Sequence, residues 1–156
     1  SWNGLRYFLY EYELYLQERS KGEVKVTWDV LKKANTIEHI YPQEDSKDYW
    51  KTRFGKLSSK KRFRLCNSLG NLLLLSQSKN SELQNLGFDF KRKHKAKNGE
   101  DAGYFNGSYS EIGVAQNVDW TDETIRDRGI GLLEFMEHRW KIEIENKDGL
   151  LGIDVK

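Results

Sequence analysis

The chain is poor in cysteine and proline, with one of each, Cys66 and Pro42, in 156 residues. A single cysteine excludes an internal disulfide framework and fits a reducing cytoplasm. It also excludes a structural zinc cage built from paired Cys-X-X-Cys elements. No run of about 18 apolar residues occurs, and the start lacks a charged n-region followed by an apolar h-region, so neither a membrane-spanning helix nor a signal peptide is predicted. No P-loop, no Gly-X-Gly-X-X-Gly and no internal repeat is present, so nucleotide hydrolysis is not legible in this chain. The net charge is only +2, which argues against a histone-like binder. The 37% apolar, 13% aromatic and 32% charged content describes a soluble globular domain with a real core and not a disordered segment. The chain begins at Ser1-Trp2 and not at methionine, so it is expected to be the C-terminal piece of a larger protein.

Two elements stand out against this background. The first is Ile37-Glu38-His39-Ile40-Tyr41-Pro42-Gln43, and the second is Leu69-Gly70-Asn71-Leu72-Leu73-Leu74-Leu75-Ser76-Gln77-Ser78-Lys79-Asn80. An acid beside a histidine, with two asparagines nine residues apart, suits metal-assisted phosphodiester hydrolysis. Water is a poor nucleophile at neutral pH, and an imidazole with an ordinary pKa of about 6.5 can activate it. The leaving oxygen needs a Lewis acid, and a hard ion such as Mg²⁺ takes carboxylate and amide oxygens. Glu38 and Asn80 offer those oxygens, and His39 is the base. Neighbouring residues of a flat strand face opposite sides, so the backbone is expected to twist or turn at Glu38-His39. Each residue has a plainer reading as well. Glu38-His39 could be a surface pair, Asn71 a turn residue after Gly70, and Asn80 the N-cap of a helix over Ser81–Asn85. Those readings account for the residues singly but not for their joint spacing.

The two elements together resemble the HNH, or ββα-metal, endonuclease site. More closely, they resemble the C-terminal nuclease domain of GmrSD-type modification-dependent (type IV) restriction enzymes. The resemblance covers roughly residues 20 to 142 and is specific only in these two elements. It implies an α+β, mainly helical fold, with a ββα-metal (HNH) core embedded in surrounding helices. His39 would be the general base, Glu38 the first metal ligand, and Asn80 the second, at the head of the metal-site helix. Asn71 would be structural, tethering the loop that carries the histidine. The implied cofactor is Mg²⁺, with Mn²⁺ able to substitute, and the implied substrate is double-stranded DNA. Restriction of foreign, modified phage DNA is the implied setting. An N-terminal NTPase or modification-sensing domain, on the same or a partner chain, is the implied partner. Glu38 departs from the pattern, because many HNH sites have Asp or His there. Its longer arm keeps a second reading open, a nucleic-acid-binding module with an inactive nuclease fold. A helical protein-interaction module is the third.

Charge distribution adds to this. Residues 51–64 carry Lys51, Arg53, Lys56, Lys60, Lys61, Arg62 and Arg64 with no acid, and residues 91–97 carry Lys91, Arg92, Lys93, Lys95 and Lys97. Lysine runs are commonly solvated faces, but these two bracket Asn71–Asn80, as capture of a polyanion requires. Lys60, Lys61, Arg62, Lys91, Arg92 and Lys93 are therefore the expected DNA contacts.

One domain over 1–156 is expected. Residues 1–22 form an N-terminal helix with a stripe of Leu5, Phe8, Leu9, Tyr12 and Leu16. Residues 23–97 hold the ββα site, with Val24–Trp28 as a short strand or approach loop and helices over 46–54 and 58–67 inserted. Leu72–Leu75 is a buried strand, and a helix starts at Asn80. Residues 98–119 read as a loop whose Tyr104, Phe105 and Tyr109 anchor it more readily than they stack on bases. A closing helix, capped at Thr121, occupies 120–145 and carries His138 on its polar side.

Overall fold

The computed structural model describes residues 4–153. The fold is α+β and mainly helical, with one antiparallel two-stranded sheet of β1 (Asn35–His39) and β2 (Leu72–Ser76). The chain divides into two compact units. The first combines the chain up to Glu38 with Leu73–Val118, and the second combines His39–Leu72 with the chain from Asp119.

In the first unit, α1 (Leu5–Ser20) buries Phe8 and Leu9 and stops where Lys21 takes a left-handed φ of 54°. Its Glu13 is buried too, and the carboxylate accepts the amides of Tyr109 and Ser110 at 3.1 and 2.7 Å. Those are orphan donors of α7 (Tyr109–Ala115), whose start is also closed by a Ser108–Glu111 capping box. The expected loop over 98–119 thus contains a helix, because a carboxylate distant in sequence completes its cap. Val24–Val26 forms no strand: the chain runs irregularly to α2 (Trp28–Ala34), whose Trp28 ring packs against Tyr7 and Tyr10 at 5.8 and 5.4 Å. Strand β2 is buried on both faces from Leu73 to Leu75, which is why it reads as a continuous apolar run. It passes directly into α5 (Gln77–Leu83), capped by Ser76 Oγ accepting from the Lys79 amide at 3.3 Å. The helix therefore begins three residues before Asn80, and Asn80 is not its cap. After a break at Gly87, α6 (Phe88–Lys93) buries Phe88 and Lys91.

The second unit holds α3 (Asp48–Phe54), α4 (Ser59–Asn67), a 3₁₀ turn at Leu69–Asn71, α8 (Asp122–Trp140) and α9 (Lys147–Leu151). Its core stacks Tyr41 on Phe54, with ring centroids 3.9 Å apart, beside fully buried Trp50 and Trp120. The closing helix starts at its expected Thr121 cap and ends at Trp140, where Lys141 turns left-handed. Gly70 lies against α8: a Cβ there would sit 1.9 Å from the Ile125 carbonyl oxygen and 2.7 Å from the Gly129 amide nitrogen. Only glycine permits that approach. Arg128 seals it by donating to the carbonyls of Gly70 and Leu72, both at 2.8 Å.

Candidate active site

Strand alternation places Thr36 and Glu38 on one face of β1. Within the first unit, Asn80 Nδ2 donates to Thr36 Oγ1 at 2.7 Å. This brings a residue 44 positions away onto the face that carries Glu38. Glu38 is buried, and its Oε1 accepts from Lys91 Nζ at 2.6 Å and from the Tyr104 hydroxyl at 3.0 Å. Lys91 is itself fully buried. A lysine ammonium is tolerated there because the carboxylate compensates its charge. Lys91 therefore does not present its ammonium to solvent, and the expectation that it contacts DNA phosphate is corrected: its charge is spent inside the protein.

Residues that the sequence did not single out complete this half. Lys79 Nζ donates to Glu111 Oε1 at 2.7 Å and to the carbonyls of Asn106 and Gly103 at 3.0 and 3.3 Å. It pins the glycine-rich segment to α5. Tyr104 is fully buried, so it anchors that segment as expected, and its hydroxyl reaches Glu38 as well. Lys79 stands beside Asn80 in the second element, which was the available signal. For Tyr104 nothing in the sequence pointed to Glu38.

In the second unit, His39 closes β1 and is partly exposed. The chain that follows it is braced by Asn71. The Ile40 amide donates to the Asn71 carbonyl at 3.0 Å, and the Tyr41 amide donates to Asn71 Oδ1 at 2.8 Å. Asn71 Nδ2 returns bonds to the carbonyls of Tyr41 at 2.8 Å and Cys66 at 2.9 Å, and Trp120 Nε1 donates to Oδ1 at 3.0 Å. The side chain is fully buried, and its amide makes four hydrogen bonds, its full capacity. The Asn71 side chain has no oxygen left for a metal and ties the loop to α4 and to Trp120.

The loop then runs through Tyr41, whose hydroxyl donates to Asp45, while Arg62 Nη1 donates to the same carboxylate oxygen at 3.1 Å. Burial, then the Asp45 carboxylate, push the Tyr41 pKa well up. Tyr49 is raised in the same way, first by burial and then by Asp119. For Asp119, burial works upward, but hydrogen bonds from Tyr49 and Arg53 outweigh it and hold the carboxyl below its usual range.

Of the remaining expected DNA contacts, Lys60 and Lys93 are exposed, and Lys61 and Arg62 are partly so. Arg92 is partly buried, donating from Nε to the Ala115 carbonyl at 3.0 Å with its guanidinium 5.2 Å from the Phe105 ring centroid. His138 is exposed on α8.

Among the described residues no group of three or more His, Cys, Asp or Glu side chains could hold a metal ion. Glu38, one oxygen of which is held by Lys91 and Tyr104, and Asn80, whose amide nitrogen reaches the same strand at Thr36, provide one carboxylate and one amide oxygen. That fits a hard divalent ion whose other ligands are water and substrate oxygens, as Mg²⁺ prefers, and does not fit zinc.

The sequence model of one protein family, described as GmrSD restriction endonucleases, C-terminal domain, matches residues 1–135. No curated protein and no solved structure matches the chain.

Proposed function

This chain belongs to the family of C-terminal domains of GmrSD restriction endonucleases, and on that premise we propose that it is a Mg²⁺-dependent DNA endonuclease of the HNH type. His39 takes the proton from the attacking water. Glu38 and Asn80 hold the ion, with Mn²⁺ able to replace it, and the ion when bound supplies Lewis-acid stabilisation of charge on the scissile phosphate. Asn71 keeps the chain after His39 in place. Exposed Lys60 and Lys93, with Lys61, Arg62 and Arg92, hold the backbone of double-stranded DNA by charge. One such site cuts one strand, so a single copy nicks. Foreign, modified phage DNA is the proposed target, with an N-terminal NTPase or modification-sensing domain choosing it.

One observation carries this reading. The two sequence elements meet through their polar side chains: Asn80 reaches the strand of Glu38, and Asn71 binds the chain that leaves His39. A packing role for these residues would not require that convergence. The buried Glu38–Lys91 pair favours one second reading, a nucleic-acid-binding module in which the ammonium stands permanently where an ion would neutralise Glu38.

A plasmid-nicking assay tests the proposal. Wild-type chain is expected to nick supercoiled DNA with Mg²⁺ and not with a chelator. His39→Ala should lower the rate by about 10²–10⁴, the usual cost of losing a general base, with its melting transition retained. Nicking by the variant at the wild-type rate sinks the assignment of His39. Salt-sensitive DNA binding without any Mg²⁺-dependent nicking selects the second reading.

A further inference from the structure

Within the second unit a cavity of about 470 Å³ opens beside the loop that leaves His39. Its volume lies in the roughly 300–1,000 Å³ range of small-ligand sites. Pro42, Gln43 and Asp45 line it from the loop, and Arg62, Phe63 and Asn67 line it from α4. One oxygen of the Asp45 carboxylate, Oδ2, accepts from both the Tyr41 hydroxyl and Arg62 Nη1, and that guanidinium offsets its charge. Arg62 Nε is buried with no hydrogen-bond partner among the described residues. That N–H is closed off from the cavity, so the polar groups open to a ligand are the Gln43 and Asn67 amides.

Phe63 stands at the rim, 71% exposed. Residues three and four apart share a helix face. Positions 59, 62, 63 and 66 of α4 therefore make one face, which the cavity lining includes in full. Positions 60, 63, 64 and 67 make the adjoining face. Phe63 belongs to both and joins the cavity to exposed Lys60 and Arg64. An apolar ring held out in solvent among cations, beside exposed amides, has the chemistry that binds a nucleotide. The ring stacks on the base, the cations take flanking phosphates, and the amides meet the base edge.

We propose that this cavity takes one unstacked nucleotide of the DNA strand, with its base against Phe63, so that the domain prefers DNA that is single-stranded or locally unpaired beside the cut. The proposal rests on the DNA-cutting reading above and adds a substrate preference to it. Charge favours nucleic acid over a protein occupant, since residues 51–64 contain no acid.

Metal-free binding measured by fluorescence anisotropy tests it. The probes are a single strand containing 2-aminopurine, a duplex of equal length with one unpaired base, and the fully paired duplex. The wild-type chain is expected to bind the first two more tightly than the third and to quench the 2-aminopurine. Phe63→Ala should weaken binding of the first two by about fivefold to a hundredfold, as loss of one base–aromatic stack does, and remove the quench. The paired duplex should be unaffected, and Phe63→Trp should restore the preference. The exposed ring can be removed without opening the core. An unchanged affinity and quench in Phe63→Ala, with normal duplex binding, overturns this proposal alone. Lost self-association with unchanged DNA binding would make Phe63 a contact between copies and overturns it likewise. A wild-type chain that binds none of the three DNAs overturns the DNA reading itself.

Discussion

Glu38 and Lys91 show at the scale of single residues how burial changes what a charged side chain can do. The two charges are out of water and lie 2.6 Å apart, with the Tyr104 hydroxyl on the same oxygen. Such a pair contributes little compared with apolar residues of equal volume, but breaking it leaves one charge uncompensated. Lys91→Met is therefore expected to lower unfolding free energy by about 3–5 kcal/mol, measured by urea denaturation. Adding Glu38→Gln should recover a substantial part of that loss, because the isolated carboxylate is then gone; this is a coupling that a double-mutant cycle reads directly. A Lys91→Met variant within about 0.5 kcal/mol of wild type would show the pair to be no more than a surface contact. Arg92 and Lys93 follow in sequence and have different surroundings, one against Ala115 and Phe105 and the other exposed. Three adjacent cations therefore have three different environments, and a count of positive charge along the chain cannot separate them.

At the scale of elements, the turn at Leu69–Asn71 does the positioning. Asn71 braces the chain after His39, and Gly70 lets α8 approach closely enough for Arg128 to close over the turn. The Gly70-Asn71 pair thus has two separate requirements, absence of a Cβ and a full set of amide hydrogen bonds. Gly70→Ala places a methyl group against backbone atoms of α8 that cannot rotate away. We expect a loss of about 3 kcal/mol, at the upper end for overpacking, read as a lower denaturant midpoint with an unchanged slope. Nicking below the melting transition should fall too, because Asn71 moves with its neighbour. A variant as stable as wild type would mean that α8 does not press on the turn. The same element logic explains α5. Ser76 ends β2 and caps the helix, so Asn80 lies at the middle of α5, where its amide meets Thr36.

For the whole molecule, ionisation of two phenols, Tyr41 buried and Tyr49 partly so, sets an alkaline limit. Tyr41 and Tyr49 both belong to the second unit, and burial and a neighbouring carboxylate hold both well above the ordinary phenol value of about 10. A raised acid pKa means that the folded state keeps its proton while the unfolded chain releases it. The associated stability is complete below about pH 10 and is lost as pH rises from there towards the folded values. Thermal unfolding followed by tyrosinate absorbance should show the melting temperature falling steeply above pH 10, with ionisation of these tyrosines coinciding with unfolding. Asp119→Asn removes one raising influence on Tyr49 and should let part of that ionisation precede unfolding. Smooth titration of all eight tyrosines in the folded state would contradict this. No described helix is long and apolar enough to cross a membrane.

The sequence by itself determined what its local chemistry specifies. The buried Leu72–Leu75 strand, the Thr121 cap and the helices near 46–54 and 58–67 follow from periodicity and capping, which depend on residues a few positions apart, and the α+β, mainly helical class from the family resemblance. The family followed from the joint spacing within two short elements. The tertiary structure decided what depends on partners far along the chain. Glu13 completes the cap of α7 from 96 positions away, Lys91 disappears into a pair with Glu38 across 53, and Tyr104 joins them across 66. A side chain's burial and the charge it meets are properties of the folded neighbourhood. The composition of a run such as Lys91-Arg92-Lys93 therefore states how much charge is present, and only packing decides how much of it faces a ligand.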